Sequence, residues 1–228
     1  MSIEDNDKLY ILKEEDQEID KSPLNYAAFE ERPEEEQEEE NNSKQSASPI
    51  KLLFHIMFNP VEGWKLLRRS QLSVESLQSS CFYPLLAILA ISKFAEYLYS
   101  VNVNLSQVIT EAIVAFVAYF FGYFCTLMTL PIFISKEAAE KLEDKFGRQY
   151  MIIALSTLVL FSIFTNLLPM IWPILIFLPI WTLYLMFKGV RFFKLSEKEE
   201  MKFFVISAVM IIGYPLLIEW GLNTVMPY

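Results

Sequence analysis

The 228-residue sequence holds a single histidine, His55, and only two cysteines, Cys81 and Cys125. Two thiols cannot close a zinc site without further ligands, and nothing in the order of the chain brings His55 to them. Both cysteines read as small buried apolar side chains. The long apolar runs contain no aspartate and no histidine. Catalysis inside a membrane needs a nucleophile with a base, paired carboxylates or metal ligands at that depth, so an intramembrane enzyme is not expected. Outside those runs no strong basic surface occurs, and the largest segment is acidic, which argues against nucleic-acid binding. No phosphate cradle is found, and no cofactor or resident metal is expected. The first fifty or so residues are polar and open on acidic side chains, so no cleavable signal peptide is expected.

What is present is hydrocarbon, 54% of the residues, and it is concentrated between Phe82 and Gly221. Five runs there approach or exceed the roughly 20 apolar residues that a helix needs to cross a bilayer core about 30 Å thick. They are Phe82–Tyr99, Val108–Ile134, Tyr150–Leu168, Met170–Phe187 and Phe203–Leu222. Backbone amides in lipid must be satisfied within their own segment or a closed sheet. The runs lack the alternation of barrel strands, so they predict helices. A soluble helical core would need polar faces on its outer helices, and Ala115–Leu130 has none.

The net charge of −9 is an average of two unlike parts. Residues 1–48 hold sixteen acidic and five basic side chains, whereas residues 49–228 hold twelve acidic and fourteen basic. The first segment reads as a disordered acidic cytoplasmic tail, because near-continuous charge at Glu34–Glu36 and Glu38–Glu40 cannot offset the entropy of ordering. Leu9–Leu12 and Leu24–Phe29 interrupt it as short apolar islands that would suit a cytosolic partner. Residues 49–80 read as amphipathic interfacial helices. Leu52, Leu53, Ile56, Met57 and Phe58 form one apolar surface before the break at Asn59-Pro60. There Asn59 suits a helix N-cap, Pro60 the first helical position and Glu62 the third. Trp64 beside Lys65, Arg68 and Arg69 suits the headgroup interface, which places both short helices on the membrane surface and is compatible with Trp64 also anchoring against the membrane domain.

Lysine and arginine also set the orientation. Residues 49–80 carry four, Ser135–Gln149 four and Lys188–Lys202 five, while the segments around Ser100–Gln107, Pro169 and Asn223–Tyr228 carry none. Cations gather on the cytoplasmic side of short loops, so the N-terminus is expected inside and the C-terminus outside. Within the second span, Ala118 and Gly122 form a small-xxx-small pair that lets another helix approach closely. This span is long enough that it must tilt, project or bend near Gly122 or Pro131. The third and fourth spans form an antiparallel hairpin, with bends at Pro173 and Pro179.

Four ionisable residues fall inside the expected spans: Lys93, Glu96, Glu111 and Glu219. All would lie near the outer end, in one layer. Charge at that depth is costly unless paired or hydrated. Lys93 would pair with Glu96 on its own helix or with Glu111 across helices. The cluster reads either as glue for the bundle or as an ion or proton site open to the outer face.

The order of parts then resembles a known family. Phe58-Asn59-Pro60 with Trp64 four residues after the proline, followed by five spans, is similar to the Yip-domain (Ypt-interacting-protein) family, in particular its bacterial branch. Phe82-Tyr83-Pro84 followed by Ala90-Ile91-Ser92-Lys93-Phe94 looks like members from Bacteroides-type bacteria. The resemblance covers about residues 50–228. It implies an all-α, polytopic bundle of five transmembrane helices with a cytosolic N-terminus. It does not extend to the Asp-Leu-Tyr-Gly-Pro type of motif found in eukaryotic relatives that bind prenylated GTPases, which is absent here. The expectation is a tail (1–48), interfacial helices (49–80) and a five-span domain (81–228). That architecture fits a non-enzymatic inner-membrane protein acting as scaffold, organiser or accessory partner, associating with the lipid bilayer and with a membrane protein or itself. The alternative is a small transporter or channel component using the outer carboxylates.

Overall fold

The computed structural model describes residues 48–95, 99, 104–168 and 177–226. Residues 1–47 of the acidic tail, Glu96, and residues 170–176 of the expected span Met170–Phe187, Pro173 among them, lie outside the described residues. Every regular element among the described residues is helical.

Helix α1 (Pro49–Phe58) and helix α2 (Pro60–Arg69) form a tight corner. Pro60 disfavours helical geometry in the residue before it, and Asn59 accordingly leaves the helical region with φ −133° and ψ 78°. Pro60 then occupies the first helical position, where a missing N–H costs nothing. The Asn59 side chain does not cap the backbone as expected; its amide donates to Glu62 Oε2 at 2.6 Å. The two helices touch at Gly63, where a β-carbon would fall 2.6 Å from the Ile56 backbone.

Helix α3 (Val74–Ala95) opens on Ser73, whose hydroxyl accepts from the Ser76 N–H at 3.0 Å. It thus starts eight residues before the apolar run that marks it in the sequence. Its first turns carry too many polar side chains for hydropathy to register, yet Leu77 is buried. A π-turn over Gln78–Phe82 precedes Pro84, which has no N–H to give to the preceding turn. Its last described residues, Lys93–Ala95, form a 3₁₀ turn.

Helix α4 (Leu105–Phe133) runs for 29 residues, about 43 Å, and carries Pro131 only in its last turn, where few hydrogen bonds are lost. The segment expected as a loop, Ser135–Gln149, contains a further short helix, α5 (Lys136–Glu143), capped by the Ser135 hydroxyl and bracketed by a Glu137–Lys141 pair at 2.7 Å. Its charged surface hid a buried pair, Ala138 and Leu142. Helix α6 (Lys145–Leu167) is buried without a break from Gln149 to Phe161 and forms the centre of the bundle. Helix α7 (Leu178–Val190) leads through a 3₁₀ turn and a left-handed Lys194 into helix α8 (Glu197–Val225), 29 residues long with Pro215 inside it.

Helices α3, α4, α6 and α8 are each long and apolar enough to cross a membrane. Helices α3 and α7 flank α6, and α4 packs most extensively against α8. The last pairing centres on the small residues singled out in the sequence. Ala118 is fully buried, and a β-carbon on Gly122 would meet Pro215 Cγ at 2.8 Å. The backbone of α4 therefore comes within reach of the proline ring of α8.

Candidate functional site

The Phe58-Asn59-Pro60…Trp64 motif builds a docking joint. Trp64 is fully buried. Its indole N–H donates to the Leu185 carbonyl of α7 at 3.0 Å. Its ring lies 5.5 Å from that of Tyr150 and 6.2 Å from that of Phe146. One turn beyond Leu185, Gly189 leaves the slot that the indole fills, since a β-carbon there would sit 2.8 Å from the Trp64 ring and 2.9 Å from that of Tyr150. Phe193 and Phe203 extend the cluster, their centroids 4.9 Å apart. Trp64 is thus packed against the bundle as an anchor.

Two further bonds hold the same joint. Arg68 donates to the Phe192 carbonyl at 2.7 Å, with its guanidinium 5.9 Å from the Phe146 ring. In the reverse direction, the Trp181 indole of α7 donates to the Met57 carbonyl at 3.2 Å. Met57 lies in the last turn of α1, where carbonyls have no partner in their own helix, so Trp181 supplies one. At the same end, Lys141 of α5 donates to the Lys194 carbonyl at 3.0 Å. The three segments rich in lysine and arginine thus meet at one end of the bundle. His55 lies on the exposed side of α1.

Three of the four ionisable residues expected in one layer fall among the described residues. Lys93 is half-buried in the 3₁₀ turn Lys93–Ala95 of α3. Glu111 is half-buried on α4 and accepts from Gln107 Nε2, one turn earlier, at 3.0 Å. Glu219 is half-buried on α8. Among the described residues, no hydrogen bond or ion pair joins Lys93, Glu111 and Glu219 to one another.

Neutral pairs, which the sequence reading did not single out, tie the helices together. Gln78 of α3 donates to the Tyr123 hydroxyl of α4 at 2.7 Å. Tyr119 of α4 meets Ser162 of α6 at 2.6 Å, and Thr129 of α4 meets Tyr214 of α8 at 2.8 Å. Asn166 of α6 donates to Ser92 of α3 at 2.8 Å. The available signal was a polar atom within each long apolar run, but not which partner it would find. Among the described residues, no group of three or more histidine, cysteine, aspartate or glutamate side chains is placed to hold a metal. Cys81 is buried and Cys125 half-buried, both as free thiols.

A cavity of about 300 Å³ lies between α3 and α4, lined by Ala90, Phe94, Ile109, Ala112, Ile113 and Phe116. All six lining side chains are apolar.

Long apolar helices, tied together by neutral hydrogen bonds and packed at one end against the corner of α1 and α2, define a multi-pass helical membrane protein. The chain belongs to the Yip1 domain family, whose model matches residues 54–218. That match runs from within α1 to within α8, so the docking joint lies inside the family domain. No curated protein and no solved structure matches the chain.

Proposed function

We propose that this protein is a non-enzymatic scaffold, organiser or accessory partner in the inner membrane, with a rigid cytoplasmic platform that carries the acidic tail. The observation that carries the reading is the welding of three segments at one end of the bundle, through Trp64–Leu185, Arg68–Phe192 and Lys141–Lys194. Residue 48, where the acidic segment ends, directly precedes this platform. The Leu9 and Leu24 islands of that tail are the candidate motifs for capture of a cytosolic partner.

The same contacts support five crossings. Helix α6 leaves from beside α5, and the chain is back at that end by Phe192. Helix α7 is the described part of the return to that end, and a fifth crossing is proposed there. Five crossings put the N-terminus and the cationic platform in the cytoplasm and the C-terminus in the periplasm, in keeping with the positive-inside rule.

Crosslinking and mass spectrometry on native membranes test the role. The full chain is expected to capture proteins that a chain lacking residues 1–48 does not. Identical partners for both would remove the tail from the reading. Ion or solute flux in liposomes that disappeared with Glu111→Gln would replace the scaffold by a transporter. A tag after Tyr228 is expected to report from the periplasm, and a cytosolic signal would overturn the topology.

A further inference from the structure

We propose that the groove between α3 and α4 holds an acyl chain of an anionic phospholipid, with Lys93 as the contact for its phosphate. The floor includes two alanines, Ala90 and Ala112, whose small side chains open a space between larger neighbours. The walls reach the outside of the bundle, for Phe94, Ile109, Ile113 and Phe116 are between 37% and 55% exposed. The volume of about 300 Å³ stands at the lower end of ligand sites, which span roughly 300–1,000 Å³. Such sites ordinarily carry a few polar groups that orient a polar ligand. This one has only hydrocarbon on its walls, so its occupant is hydrocarbon along that length. Because α3 and α4 are both long enough to cross the membrane, the groove opens onto lipid.

The headgroup follows from the charge beside it. Lys93 directly precedes Phe94 of the groove wall, in the 3₁₀ turn Lys93–Ala95 of α3. It is half-buried and has no ion-pair partner among the described residues. Glu111, which precedes Ala112 in the opposite wall, already accepts from Gln107 at 3.0 Å. A lysine at this depth needs an anion. A phosphodiester whose chain lies in the groove brings one, and a lipid with no net positive charge on its headgroup leaves that phosphate free to pair.

The inference rests on the bundle crossing a membrane and is independent of the scaffold role and of orientation. Its test is native mass spectrometry of the full chain released from nanodiscs made with equal phosphatidylglycerol and phosphatidylcholine. The wild type is expected to retain phosphatidylglycerol over phosphatidylcholine by about tenfold, the effect of one charge-assisted hydrogen bond. Lys93→Gln should bring that ratio close to one while leaving total lipid retention in place. Ala90→Phe and Ile113→Trp, which fill the groove, should each lower retention of both lipids. Ile113 is more than half exposed, so its variant answers the question even where Ala90→Phe fails to fold. A tenfold preference that survives Lys93→Gln, or retention unchanged by Ile113→Trp, would overturn the proposal. So would a wild type with no preference, as expected if Glu96 already neutralises Lys93, or a photocrosslink from Ile113 that captures a polypeptide instead of lipid.

Discussion

The indole nitrogen of Trp64 reaches the carbonyl of Leu185 across 121 residues of sequence, at 3.0 Å. This one bond ties the corner of α1 and α2 to α7. Trp64→Phe keeps most of the ring and loses the donor. It is expected to lower stability by about 1 kcal/mol, because the Leu185 carbonyl stays within its helix. Trp64→Ala removes the filling of the slot over Gly189 as well, and about 3–5 kcal/mol is expected. Unfolding followed in detergent by tryptophan-independent circular dichroism checks both.

The contact between Gly122 and Pro215 predicts opposite signs for two glycine substitutions. Gly122→Ala places a methyl group 2.8 Å from the proline ring, and overpacking of this kind costs about 1–3 kcal/mol. Gly213 has open space around it, so Gly213→Ala should be neutral or stabilising, by up to about 1 kcal/mol from helix propensity. Melting temperatures of the two variants in the same detergent should therefore move apart.

Thr129 and Tyr214 meet at 2.8 Å, and Thr129 also bonds back to the Cys125 carbonyl at 2.7 Å. A double-mutant cycle of Thr129→Val and Tyr214→Phe should give a coupling of about 0.6 kcal/mol, the average for such bonds between membrane helices. A coupling of zero would mean that the two hydroxyls act independently.

Cys81 is buried at the contact of α3 with the central helix, so its modification should report opening of the bundle. In the Cys125→Ala background, a maleimide is expected to leave Cys81 unmodified in the folded protein and to label it as denaturant unfolds the helices. Rapid labelling under native conditions would show that α3 detaches readily from α6.

Some of the candidate site was legible because its signal is local. The Asn59-Pro60 break and the small pair Ala118 and Gly122 each follow from stereochemistry within a few residues. The side of Trp64 was not legible, because a tryptophan beside arginines suits both a lipid headgroup layer and a protein slot. Gly189, 125 positions away, decides between them. Lys93 and Glu111 show the same limit: both are polar residues in apolar runs, but the Gln107 contact at 3.0 Å depends on local side-chain geometry.

By itself the sequence determined the helical class, the length of the long apolar segments and the segregation of cations from hydrocarbon. These follow from backbone hydrogen bonding and the thickness of a bilayer, which act on each segment independently. Tertiary structure alone decided that α4 pairs with α8, that α6 is the centre, and that the corner of α1 and α2 is bolted to α7. Those choices depend on which small residue faces which large one across the bundle, and apolar side chains of similar hydrophobicity differ there only in shape.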